Sequence, residues 1–401
     1  MTLRRGACPS LAQPMQTGDG LLVRLAPAHG RLTPSKLAQI AQAADRFGNG
    51  LLEITTRGNL QIRGLTARTA LLLDDFIADL DLGIASGLAV ETGPLAGLAK
   101  DEIADPRDLA SAIAAQAAEL QLAPKVSVTV DGGGPLHLGE IGADIKLEAL
   151  AGGEWRIGIG GVRRTARWLG AGGEAAVLSA SMAILRLLAQ KGREARARHL
   201  DDGDLFGLTE ELQPANDLAA SSCAKPIGTF DLSDNSHAIG FAPPFGQARA
   251  IHLAALCQAA SNTREIRFAP GGGLLVLGLP AGDEDTLRLA ARHFGFIIET
   301  TDPRLTISAC AGAPFCASAH LGTKALAEEA AAAGLIDGTF RLHVSGCEKR
   351  CAQPTGGCVS LIGREGAFVV TADGTTAPAH LRTFLVERAE ALRSTPSRKT
   401  A

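Results

Sequence analysis

The chain has 401 residues, 46% hydrophobic and 20% charged, a composition typical of a globular protein and not of a disordered one. Its formal net charge of −3 gives no basis for nucleic-acid binding. No run approaches the roughly 18 apolar residues of a membrane span, and the first residues lack the apolar stretch of a signal peptide. We therefore expect a soluble, cytoplasmic protein of two or more domains, with neither nucleic acid nor membrane as a partner.

The chain resembles itself at an offset of about 215 residues, much longer than the period of a solenoid repeat. Residues 25–30 return as 241–246, and an apolar helical pattern follows both segments. This long period predicts a duplicated α+β module. Each copy contains a small sheet-and-helix unit followed by a larger α/β unit, at 20–85 and 90–210 in the first copy and at 235–300 and 305–390 in the second.

A polar, cationic pattern distinguishes the strand-like segment 51–65 from its counterpart, 265–279. Alternation along a strand places five side chains of this segment on one face, namely Thr55, Arg57, Asn59, Gln61 and Arg63. The corresponding positions in the second copy are small or apolar, namely Gly271, Gly273, Leu275 and Leu277. A solvated strand face is the alternative interpretation, but the contrast between the copies favours a binding face for an anionic ligand.

Four cysteines in the last quarter of the chain are spaced as Cys310-x5-Cys316 and Cys347-x3-Cys351. Four thiolates are the ligand set of a 4Fe–4S cluster. Structural zinc prefers two to four residues between paired ligands, and disulfide frameworks are typical of small secreted domains. The first copy has glycines at 132–134, where the second copy has Cys347. The spacing therefore predicts an iron–sulfur site in the second copy only, and the other cysteines are interpreted as buried or incidental.

With these motifs in this order, the chain resembles the sulfite/nitrite reductase superfamily over nearly its whole length. The similarity is carried by the paired cysteines, the segment Thr-Thr-Arg-Gly-Asn-Leu-Gln at 55–61 and the internal duplication. Further motifs at 93–97, 105–107 and 124–134 are most similar to the members that act on a tetrapyrrole of cobalamin biosynthesis.

The resemblance implies an α+β, internally duplicated sulfite/nitrite reductase-like fold. Two ferredoxin-like half-domains would occupy 1–88 and 221–302. An α+β domain of the tetrapyrrole-binding type would occupy 89–220, and an iron–sulfur cluster domain of the same α+β type would occupy 303–401. The ligand is expected in the groove between the two halves.

The implied reaction is the oxygen-dependent hydroxylation of precorrin-3A with closure of a lactone. The implied cofactors are the 4Fe–4S cluster and a non-haem iron in addition. Electrons would come from an external donor, an NAD(P)H-linked reductase or a ferredoxin, because no Gly-x-Gly-x-x-Gly follows a strand.

A siroheme-dependent assimilatory sulfite or nitrite reductase is the alternative function, and an iron–sulfur electron carrier is a third possibility. Two departures bear on this choice: Ser127 stands where siroheme reductases carry a second lysine, and Gln353 stands where the family has histidine.

A polycarboxylate tetrapyrrole suits arginine, which holds carboxylates bidentately and keeps its charge. The candidate substrate residues of the first copy are Arg24, Arg57, Asn59, Gln61, Arg63 and Lys125, and a second cluster contains Arg163 and Arg164. Both clusters have a solvated surface as their alternative interpretation. The nine histidines show no spacing of two histidines and a carboxylate. The sequence therefore names no catalytic residue and no ligand of an oxygen-activating iron.

Overall fold

The structure is a computed structural model that describes residues 9–27, 30–84, 87–214, 222–280, 282–354 and 356–394. These residues form three five-stranded sheets and one four-stranded sheet, with helices packed against them. Within the described residues, none of the helices has the length and apolar character needed to cross a membrane.

The first half-domain contains one helix between its third and fourth strands and one after its fifth strand. Its elements are β1 (Met15–Thr17), β2 (Gly20–Leu25), β3 (Arg31–Leu32), α1 (Pro34–Phe47), β4 (Leu51–Ile54), β5 (Leu60–Leu65) and α2 (Ala67–Asp79). Helix α1 begins where the Thr33 side chain accepts a hydrogen bond from the Lys36 N–H at 3.3 Å, with proline in the first turn. Its buried residues recur at helical spacing, so that one face packs into the core.

The α/β domain that follows has three parallel strands and two antiparallel ones, in the order β10-β9-β8-β7-β6. Its elements are β6 (Ala89–Thr92), α3 (Arg107–Gln116), β7 (Ser127–Asp131), β8 (Ile145–Ala149), β9 (Glu154–Ile159), β10 (Arg167–Gly173), α4 (Glu174–Lys191) and α5 (Asp202–Leu205). One face of this sheet packs on α3 and α4 in an apolar core, and the other face carries buried charged residues.

The second copy repeats both units. Its half-domain contains β11 (Gly228–Asp231), β12 (His237–Phe241), β13 (Gln247–Arg249), α6 (Ala250–Ala259), β14 (Glu265–Ala269), β15 (Gly273–Leu277) and α7 (Glu284–His293). Its α/β domain contains β16 (Ile307–Ala309), α8 (Thr323–Ala332), β17 (Leu342–Ser345), β18 (Cys358–Arg364), β19 (Ala367–Asp373) and α9 (Ala379–Ala391). The four strands of this last sheet lie in chain order, with β16, β17 and β18 parallel.

Each half-domain sheet receives one edge strand from the other half. β13 lies antiparallel to β4, with Ala248 opposite Leu52, and β3 lies antiparallel to β14, with Leu32 opposite Ile266. The strand orders are β1-β2-β5-β4-β13 and β11-β12-β15-β14-β3. Helices α1 and α6 pack against each other, and one apolar core contains residues of both half-domains. The domain boundaries expected at residues 88, 220 and 302 stay a prediction. β13 of the third segment joins the sheet of the first segment, and β3 of the first segment joins the sheet of the third.

The structure corrects one sequence-based expectation, the continuous strand through residues 55–63. β4 ends at Ile54 and β5 begins at Leu60, and the residues between them form a turn. Gly58 has a φ of +74° in this turn, a conformation that glycine adopts without steric cost. Gln61 and Arg63 therefore share a strand face, whereas Arg57 projects from the turn. The equivalent turn of the second copy contacts this one, since the Gly271 N–H donates to the Thr56 carbonyl at 3.0 Å.

Candidate functional site

The four cysteines come together at one edge of the four-stranded sheet. Cys310 follows β16 directly and Cys347 follows β17 by two residues, and parallel strands end at the same edge of a sheet. The Cys310 N–H donates to the Val344 carbonyl at 3.2 Å. Partial burial raises the pKa of Cys351, and the nearby Cys310, Cys347 and Cys316 raise it further. The fold thus gathers all four thiols within electrostatic range of one another.

This donor set fits a 4Fe–4S cluster. In a cubane each thiolate binds a different iron, so the four sulfurs stand further apart than the ligands of a single ion. The Gly346 N–H donates to Cys310 Sγ at 3.2 Å, the type of contact that tunes a cluster ligand.

The β1–β2 turn of the first half-domain lies directly on the cysteine site. A Cβ atom added to Gly18 would lie 2.6 Å from Cys316 Sγ, so this close approach requires glycine. The Ala317 N–H also donates to the Gly18 carbonyl at 3.1 Å. The first half of the chain therefore covers one side of the cysteine site that the second half provides.

Arg63, a predicted substrate residue, is engaged by two carboxylates beside the cysteines. Its Nε lies 2.7 Å from Asp19 Oδ2, and its Nη1 lies 3.1 Å from Glu53 Oε2. Burial alone would raise the pKa of Asp19, but the hydrogen bonds and charge of Arg63 outweigh it, so this pKa is lowered. Burial raises the pKa of Glu53, which the charge of Arg63 partly offsets. Neither carboxylate was expected from the sequence.

Lys324, at the start of α8, is a further cation near Glu53 and Cys310. Burial lowers its pKa to about 8, against the opposing effect of Glu53, and its ammonium group is within electrostatic range of Cys310. The neighbouring Thr323 hydroxyl donates to the Cys310 carbonyl at 2.8 Å, which fixes the start of the helix beside the cysteine. In the sequence, Lys324 stands in an alanine-rich helical segment with no signal of a site.

Arg57 bridges the turn after β4 to the first α/β domain. Its Nη1 lies 2.8 Å from Glu91 Oε2 on β6, and its Nη2 donates to the Gly142 carbonyl. Burial raises the pKa of Glu91, and the charge of Arg57 partly offsets this effect. Arg57 thus points away from the first half-domain, toward the sheet whose residues were expected to hold the tetrapyrrole.

Arg24 and Gln61 lie side by side on the polar face of the first half-domain sheet. They are direct cross-strand partners, and Gln61 is in turn opposite Glu53. The Nε of Arg24 is buried with no hydrogen-bond partner, which is rare for a guanidinium nitrogen. Asn59 ends the turn, and its N–H donates to the Thr55 hydroxyl at 3.0 Å.

The remaining predicted cations belong to the first α/β domain, where Arg163 and the incoming Arg57 are both within electrostatic range of the buried Lys146. Arg163 is largely buried and pairs with Glu148, 2.9 Å from its Nε, and with Asp131. Arg164 is exposed, with Glu140 3.9 Å away, and Lys125 is exposed just before β7. The assignment of these residues to the substrate stays a prediction.

Ser127 and His343 are both buried. The Ser127 N–H donates to Asp144 Oδ2 at 3.1 Å, at the start of β7. His343 is fully buried on β17, with its Nδ1 3.2 Å from the Ser360 hydroxyl, and burial lowers its pKa to about 4. His343 is therefore neutral at neutral pH.

Comparisons with known proteins agree with this architecture. Residues 13–73 match the model of the nitrite/sulfite reductase ferredoxin-like half domain. The structure of Mycobacterium tuberculosis NirA protein shares the fold, with a TM-score of 0.64 at 18% identity, over 88% of this chain and 73% of that one. The expected fold is confirmed. A relative from Sinorhizobium sp named precorrin-3B synthase is 42% identical over 386 residues, covering 93% of this chain and 84% of the relative. The chain belongs to the precorrin-3B synthase family of the sulfite/nitrite reductase superfamily.

Proposed function

We propose that the protein oxidises precorrin-3A to precorrin-3B in aerobic cobalamin biosynthesis, by hydroxylation and lactone formation with dioxygen. The observation that carries this proposal is the 42% identity to a protein named precorrin-3B synthase over 93% of the chain. The meeting of the four cysteines beside a polar sheet face supports it, because this arrangement combines a redox centre with an anion-binding surface.

Cys310, Cys316, Cys347 and Cys351 are the residues that would hold a 4Fe–4S cluster. The cluster, when bound, supplies electrons one at a time. The β1–β2 turn packs against Cys316, and the Gly346 N–H donates to Cys310 Sγ. Cys351 is the exposed member of the four, so it lies nearest to the surface from which a substrate would approach.

The substrate carries several acetate and propionate groups, and the cations of the first copy suit them. Arg57 reaches toward the first α/β domain, and Arg24 has an unpaired buried Nε next to Gln61. A carboxylate of the substrate could replace Glu91 on Arg57, so that this guanidinium group orients the macrocycle. Lys125, Asn59, Arg63, Arg163 and Arg164 complete the proposed set.

The balance of the reaction requires an external donor. One oxygen atom enters the product and the other leaves as water, which consumes two electrons and two protons. The described residues include no nucleotide-binding loop that we can assign, so a separate NAD(P)H-linked reductase or a ferredoxin would supply the electrons. A non-haem iron would accompany the cluster, and we assign no ligands to it.

Isotopic dioxygen tests the reaction directly. The purified, reduced protein is incubated with precorrin-3A under labelled dioxygen, and the tetrapyrrole is analysed by mass spectrometry. We expect one labelled oxygen atom in the product and only a broad brown iron–sulfur absorption from the protein. An unlabelled product, an intense haem spectrum and reductant-dependent formation of sulfide or ammonia would assign the protein to the siroheme reductases instead.

A further inference from the structure

Three charged side chains, Arg63, Asp19 and Glu53, form an ion-pair network on the polar face of the first half-domain sheet, with Lys324 nearby. Arg63 binds Asp19 through Nε, at 2.7 Å, and through Nη2, at 3.0 Å, and it binds Glu53 at 3.1 Å. Glu53 also accepts a hydrogen bond from Gln247 Nε2 at 3.3 Å. Lys324 lies within electrostatic range of Arg63, Glu53 and Asp19. The side chain of Asp19 is 1% exposed and that of Arg63 is 13% exposed, so solvent screens these charges weakly.

Two members of the network and Lys324 stand directly beside the cysteines. Asp19 follows Gly18, whose backbone lies against Cys316 Sγ. Lys324 follows Thr323, whose hydroxyl donates to the Cys310 carbonyl at 2.8 Å. Arg63 is within electrostatic range of Cys351. The network and Lys324 therefore surround the site from two sides, with one cation near each pair of cysteines.

The fold itself does not require an arginine at position 63. In the equivalent sheet of the second copy, Leu275 and Leu277 stand where the first copy has Gln61 and Arg63, and both leucines pack in an apolar cluster. Their cross-strand partners on the same face, Arg267 and Glu265, form a buried ion pair with each other. Burying ionised groups costs desolvation energy that an apolar face avoids. The same scaffold thus folds with leucine at the position of Arg63, and the arginine occurs on the copy that packs against the cysteines.

We propose that the fixed charges of Lys324, Arg63, Glu53 and Asp19 set the reduction potential of the cluster. This inference rests on the proposed cluster. One-electron reduction by the external donor adds a negative charge to the cluster and neither forms nor breaks a covalent bond. The cations stabilise the reduced form and the carboxylates destabilise it, and charges around a cluster are known determinants of its potential.

The experiment is an equilibrium reductive titration at pH 7, followed by visible absorption and electron paramagnetic resonance. Lys324→Gln should lower the potential and Glu53→Gln should raise it. Each change should alter the equilibrium constant for reduction by about tenfold, which is about 59 mV for a one-electron couple. Iron and sulfide contents are measured in every variant, so that only proteins with an intact cluster are compared.

Glu265→Gln is the matched control, because Glu265 is also buried and paired with an arginine, Arg267, but lies in the second half-domain. It should leave the potential unchanged. Lys324→Met should also lower the potential and Asp19→Asn should also raise it. These two variants replace Lys324→Gln and Glu53→Gln if either of those proteins loses its cluster. Opposite shifts support the proposal, and shifts of the same sign, or none, overturn it. A wild-type protein without iron and sulfide would overturn the cluster assignment and the inference with it, whereas unchanged potentials in a loaded protein would overturn the inference alone.

Discussion

Arg57 has protein partners where the sequence suggested a free cationic side chain. The carboxylate of Glu91 and the carbonyl of Gly142 hold its guanidinium group between two domains. A substrate carboxylate must therefore compete with Glu91, and the gain from binding is the difference between two ion pairs. Such exchange favours ligands with a bidentate carboxylate in the correct position over ligands that offer only charge.

This competition leads to a prediction of opposite effects at two residues. Arg57→Ala should weaken the binding of precorrin-3A by about 1.5–3 kcal/mol, the usual value for a hydrogen bond to a charged group. Glu91→Gln should strengthen binding by about 1 kcal/mol, because the competing partner loses its charge. Fluorescence or absorption titrations of the tetrapyrrole measure both. The exposed Arg68→Ala on α2 is the control, and equal affinities for wild type and Arg57→Ala would disprove the role of Arg57.

Glu102 links the stability of the first α/β domain to pH. Burial raises its pKa to about 7, although its Oε2 accepts a hydrogen bond from the Gly97 N–H at 2.6 Å. The folded state holds the proton of Glu102 more tightly than the unfolded state does. The contribution of this group to the free energy of unfolding is therefore greatest below about pH 4.5 and is lost as the pH rises through about 7.

Glu102→Gln should remove this pH dependence, since the amide stays neutral and can still accept the Gly97 hydrogen bond. We expect the variant to be more stable than wild type at pH 8 by on the order of 1 kcal/mol, because solvent screens a half-buried carboxyl. At pH 4.5 the two proteins should differ little. Thermal unfolding midpoints at the two pH values measure the effect. Glu119→Gln, at an exposed position, is the control, and a constant difference at both pH values would contradict the prediction.

At the level of elements, loops at the ends of parallel strands create the cysteine site. β16 and β17 end beside each other, so that cysteines 37 residues apart become neighbours, as the hydrogen bond from Gly346 to Cys310 demonstrates. The first α/β domain has the same parallel arrangement of β6 and β7, but its loops contain glycines and Glu102 in place of cysteines. The difference in cysteine content between the two α/β domains thus lies in the loops that follow the parallel strands.

Cys351→Ser should therefore abolish or strongly reduce the binding of iron and labile sulfide, because one of four thiolate ligands is lost. The matched control is Cys358→Ser. Cys358 follows in the same segment but is buried at the start of β18, with its Sγ 3.4 Å from the Ser360 hydroxyl. We expect this variant to keep its iron and sulfide. Equal contents in wild type and Cys351→Ser would show that the ligand set is wrong.

At the scale of the whole molecule, the sequence was sufficient to predict the duplicated fold, because spaced cysteines and repeated motifs are local features. It failed at the turn between β4 and β5, where alternation alone suggested a strand and Gly58 introduces a positive φ. It also could not identify Asp19 as a partner of Arg63, since the two residues are 44 positions apart in the chain. Patterns reveal which residues share an element, but ion pairs between elements depend on tertiary packing.

The exchange of β3 and β13 has a consequence for how this architecture arose. A single copy of the module would leave a sheet edge and half of the shared apolar core open to solvent, and an unpaired edge promotes association. Two identical copies would complete each other by giving one strand apiece, in the manner of a domain-swapped homodimer with a twofold axis. Fusion of two such protomers removes the requirement for symmetry. One protomer could then acquire the cysteines while the other acquired the charged face that covers them.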